Sequence, residues 1–125
     1  MLYYVNCDDD MRVRMVANCF ASEVPGMRLI TGEKLVQDLT YAIVHKEPDR
    51  LPKVERGLLV MDLDYVLRGR SATVGGVIED IFVPLLREGK TIWLYGRDHR
   101  DIISHPAFDP VRDLLEEYDL MANII

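Results

Sequence analysis

Along residues 57–89 the hydrophobic period of the chain changes once. Leu58, Leu59, Val60 and Met61 form an unbroken apolar run that ends at Asp62, the pattern of a strand buried on both faces. Beyond a polar turn, Val74, Val77, Ile78, Ile81, Phe82, Leu85 and Leu86 recur at offsets of three and four, with Glu79 and Asp80 on the other side. That spacing predicts an amphipathic helix. Pro84 is expected to kink it near its end, and Gly89 to terminate it.

The same two periods recur elsewhere. Residues 2–6 (LYYVN), 27–31 (MRLIT) and 91–95 (TIWLY) are short runs rich in aromatic and aliphatic residues and predict strands. Leu35, Val36, Leu39, Ala42 and Ile43 follow Gly32 and Glu33 at helical spacing and predict a helix with one buried face. Val111, Leu114 and Leu115 do the same for a closing helix. Residues 11–20 satisfy both periods. Met11, Val13 and Met15 alternate with Arg12 and Arg14 as in a strand, whereas Met15, Val16, Cys19 and Phe20 sit at helical offsets. The acidic stretch 7–10 predicts a turn or a helix start, residues 47–57 a surface connection, and residues 96–106 a loop or short helix. Strands and helices alternate without linker or repeat, so the reading is a single compact α/β domain over residues 1–125, with a mixed sheet flanked by helices.

Charge and cysteine usage narrow the function classes. A formal net charge of -6 argues against bulk binding to nucleic acid or to an anionic membrane. No apolar run approaches the length of a membrane span, and residues 1–7 lack the basic start and apolar stretch of a secretion signal. Cys7 and Cys19 therefore read as reduced, partly buried thiols of a cytoplasmic protein.

Asp62 and Asp64 are the first candidates for chemistry. Carboxylates two apart on a strand share a face, and such a pair can hold Mg²⁺ or divide acid–base work. Phosphatases that open on an Asp-x-Asp strand follow it with a turn containing Thr and Gly. Tyr65 and Val66 stand here instead, so a strand end with solvated carboxylates and no metal is expected. The second candidate is the basic turn Arg68-Gly69-Arg70-Ser71-Ala72-Thr73. Ser71 or Thr73 can cap the helix that follows, and Arg68 and Arg70 bring fork-shaped donors near its free amides. The turn suits a ligand phosphate or a phosphorylated Ser71; an ordinary capped helix with two surface arginines is the simpler reading. His45, His99 and His105 have no ligand spacing, and the sequence holds no P-loop, dinucleotide fingerprint or nucleophile elbow. No cofactor is expected, and Trp93 reads as a core residue.

Assembled, these residues resemble the STAS domains, the sulfate-transporter and anti-sigma-antagonist family, from about Met27 to the end of the chain. The resemblance is carried by the Gly-Glu pair after a strand (RLITGEK), by the apolar strand ending in Asp (LLVMDLD), and by the later segments KTIWLYG and EYDLMANI. Eight residues beyond Asp62, where the family usually has Asp-Ser-Ser-Gly at a helix start, this chain has Arg70-Ser71-Ala72-Thr73. The family implies a non-catalytic module for regulated protein–protein interaction, with an anti-sigma-like or other signalling protein as partner. It implies Ser71 as a phosphorylation site, with Arg68, Arg70 and Thr73 forming the docking surface around it.

Two other readings stand beside this one. A small flavodoxin-like fold would use the acidic residues 8–10 and Asp62 as a receiver does, with Arg97 near the place of its lysine. A deoxyribosyltransferase-like enzyme for a nucleotide or nucleoside would use Glu79 as nucleophile, Asp62 and Asp64 beside it, and Arg68 and Arg70 for the phosphate or base. Against the enzyme, Glu79 falls on the outward side of its helix. A docking module should carry Ser71 on an open surface, and a nucleotide site should enclose it in a cleft. Assembly into a homo-oligomer stays open.

Overall fold

The computed structural model describes residues 2–6, 10–96, 106–117 and 122–124. Its strands are β1 (Leu2–Asn6), β2 (Met27–Thr31), β3 (Gly57–Met61), β4 (Thr91–Gly96) and β5 (Ala122–Ile124). They form one sheet in the order β2-β3-β4-β1-β5. Every pairing is parallel, with Leu59 set between Leu29 and Trp93, and Tyr3 beside Trp93 in turn. The single α/β domain with flanking helices is as the pattern predicts. The sheet is parallel instead of mixed, because each strand is joined to the next by a crossover long enough to carry a helix.

The helices are α1 (Asp10–Glu23), α2 (Gly32–Val44), α3 (Leu63–Leu67), α4 (Ser71–Val77), α5 (Val83–Arg87) and α6 (Asp109–Glu117). Residues 11–20, which fit either period, are thus helical, and Ala17 and Phe20 turn toward the sheet one helical turn apart. Alternate residues of β3 feed two cores. Leu58 and Val60 join Leu35 and Leu39 of α2, Val77 and Phe82 of the following helix, and Val111 and Leu114 of α6. Leu59 and Met61 join Ala17 of α1 and Tyr95 of β4. The chain steps from β1 to β2 in one direction along the sheet and then returns through β3, β4 and β5 in the other. Right-handed crossovers then put α1 alone on one face and the other crossover helices on the opposite face.

The helix predicted over 74–86 has an interruption. A π-helical turn, Ile78–Phe82, joins α4 to α5, and the Val83 N–H donates to the Ile78 carbonyl five residues back. The wider turn brings Val83 into the core directly after Ile81 and Phe82, a burial that a uniform 3.6-residue period does not foresee. The break lies ahead of Pro84, which enters within the first turn of α5, in place of the kink expected at the proline itself. Gly89 ends the helix as predicted. At φ +79° its N–H donates to the Leu86 carbonyl, and the Lys90 N–H donates to that of Leu85, both at 3.0 Å. Strand β5 lies within EYDLMANI, for which no strand was expected; three residues are too few to show a period.

Candidate functional site

In open α/β sheets, ligands bind beyond the carboxyl ends of neighbouring strands whose connections leave to opposite faces. Here those strands are β1 and β4, paired at their ends through Asn6 and Gly96. The residues that follow, 7–9 and 97–105, lie outside the described residues, and so do the expectations placed on Cys7, Arg97, His99 and His105. Their sequence is informative all the same. Only Cys7, Asp8 and Asp9 separate β1 from α1, and α1 opens on Asp10. A phosphate-cradling loop between a strand and a helix needs glycines, so that backbone amides can approach the phosphates, and a lysine to reach them. This connection has neither, and it carries carboxylates where a phosphate would bring more negative charge.

The neighbouring corner, where β3 passes through α3 into α4, holds most of the candidate residues. The strand ends at Met61, so Asp62 and Asp64 do not share a strand face as expected. Asp62 adopts the left-handed conformation (φ 57°, ψ 57°), is exposed, and starts α3 without a side-chain cap bond. Asp64 is half-buried in the first turn of α3. Among the described residues no group of three His, Cys, Asp or Glu side chains is placed to hold a metal. The Asp62 backbone is held by Gly32. A Cβ at position 32 would stand 2.3 Å from the Asp62 carbonyl oxygen, so only glycine lets the start of α2 pass this close to the end of β3. Thr31, just before it, caps α2 by accepting the Lys34 N–H at 3.1 Å.

Arg68 folds back on its own helix, its Nε donating to the Asp64 carbonyl at 3.2 Å. Arg70 occupies the cap position of α4 with extended backbone and no side-chain cap bond. Ser71 and Thr73 already lie inside that helix, one and three residues beyond its cap, so neither caps it as predicted. Ser71, Arg68 and Arg70 are exposed. Thr73 is half-buried and, with Ala72, lines a shallow cavity of about 220 Å³ against α2.

Glu79 is exposed on the π turn, as its place in the pattern predicts. With Asp80 it borders a cavity of about 510 Å³ against the C-terminal half of α2, which neither Asp62 nor Asp64 lines. Sequence reasoning missed this groove. Its trace was Ile43, assigned by spacing to the buried face of α2 yet 62% exposed. Two smaller expectations also change. Cys19 is an exposed free thiol, and Trp93 is half-buried, stacked on Tyr3 with ring centroids 4.1 Å apart.

No protein-family model and no curated protein matches the chain. Solved structures that share its fold include one described as a DNA replication initiation factor and one of AMPPCP-bound DnaA from Aquifex aeolicus. Each superposes with a TM-score of 0.62 at 14% identity. The first match covers 96% of this chain and 46% of the neighbour, the second 99% and 39%, so the chain spans less than half of either. The chain shares the fold of these structures, and the STAS resemblance is overturned. The features that carried it have local causes. The Gly-Glu pair reflects the close approach at Gly32, and the interval between Asp62 and Arg70 is filled by helix α3. The flavodoxin-like alternative fails on topology, since that fold orders its strands 2-1-3-4-5 whereas β1 here lies between β4 and β5.

Proposed function

We propose that this chain is a non-catalytic protein-interaction module built on a P-loop ATPase-type sheet from which the phosphate-binding loop is missing. The acidic connection between β1 and α1 carries this reading: three residues without glycine or lysine stand where that fold would cradle phosphate. The open setting of Arg68, Arg70 and Ser71 supports it, because a site for a small phosphorylated ligand would enclose them. With the STAS resemblance gone, the family reason for regarding Ser71 as a regulatory phosphosite lapses; what remains is an exposed hydroxyl in the first turn of α4. No helix among the described residues is long and apolar enough to cross a membrane. We place the module in the cytoplasm, where an exposed free thiol such as Cys19 stays reduced.

The AMPPCP in one fold neighbour motivates the competing reading, a nucleotide binder. Thermal melts of the full chain with and without millimolar AMPPCP and Mg²⁺ separate the two. A ligand at a hundred times its Kd stabilises the native state by about 2.7 kcal/mol, which raises Tm by several degrees in a domain of this size. The expected result is no shift. A rise of that size overturns the proposal in favour of nucleotide binding.

A further inference from the structure

We draw no further inference here: the strongest candidate, the apolar groove between the C-terminal half of α2 and the π turn, is lined by Lys46 as well as by Glu79 and Asp80, and nothing in the structure shows what covers it.

Discussion

Glycines in this chain have opposite roles that are set by what surrounds each Cα. A Cβ added to Gly32 would meet the Asp62 carbonyl oxygen at 2.3 Å, backbone against backbone, with nothing flexible to give way. A Cβ added to Gly75, within α4, would meet nothing within 4 Å. Gly32→Ala should therefore destabilise the chain by about 1–3 kcal/mol through overpacking. Gly75→Ala should stabilise it by about 0.5–1 kcal/mol, since glycine inside a helix only adds backbone entropy to the unfolded state. Urea denaturation of the two variants checks both signs, and equal effects would mean that the close approach at Asp62 does not constrain the fold. Tyr95 offers a second test at this scale. It is 7% exposed in the core between α1 and the sheet, and burial holds its hydroxyl pKa above the ordinary tyrosine value. Between the unfolded and folded pKa values the unfolded chain binds fewer protons, so stability should fall as pH rises above about 10. Tyr95→Phe removes this dependence, and the difference between the two stability–pH curves should be flat below that range and open above it.

At the scale of elements, legibility followed period and length. The strands at residues 2–6, 27–31 and 57–61, and the helices at 32–44 and 109–117, were readable because each repeats its apolar spacing often enough to be distinctive. Helix α1 was ambiguous because Met15 and Val16, which supply half of its helical signal, point to solvent at 65% and 61% exposure, while Ala17 and Phe20 pack on the sheet. The π turn was invisible, since it adds a residue to the turn without altering the apolar character of Ile78, Ile81 and Phe82. The candidate site was legible only in pieces. The turn at residues 68–73 was found for its arginines and serine, yet its geometry depends on Asp62 and Gly32, which meet only once two separate strand ends lie side by side. The groove along α2 required two helices to be placed against each other, and no spacing within either one reports that.

At the scale of the whole molecule, the described residues cover the two faces of the sheet unequally, and this sets which part opens first. The face packed by α2, α4, α5 and α6 carries an extended core that includes Leu35, Leu39, Phe82, Phe108 and Val111, all at most 2% exposed. Among the described residues the other face has a smaller core of Ala17, Leu59, Met61 and Tyr95, with Val5, Phe20, Leu29 and Trp93 only partly buried around it. A helix held by few buried contacts can detach while the rest of the sheet stays paired, because its opening free energy is a fraction of the global one. Native-state hydrogen exchange should therefore show amides of residues 16–23 in α1 exchanging at least about tenfold faster than those of β3 and α2, a gap of about 1.4 kcal/mol in opening free energy. Mild urea should raise the β3 and α2 rates steeply, since only global unfolding exposes them, and should hardly change the α1 rates. If α1 and β3 exchange together with one shared urea dependence, the small core is as strongly coupled as the large one. The uncovered apolar positions around Trp93 would then have no role in setting the order of unfolding.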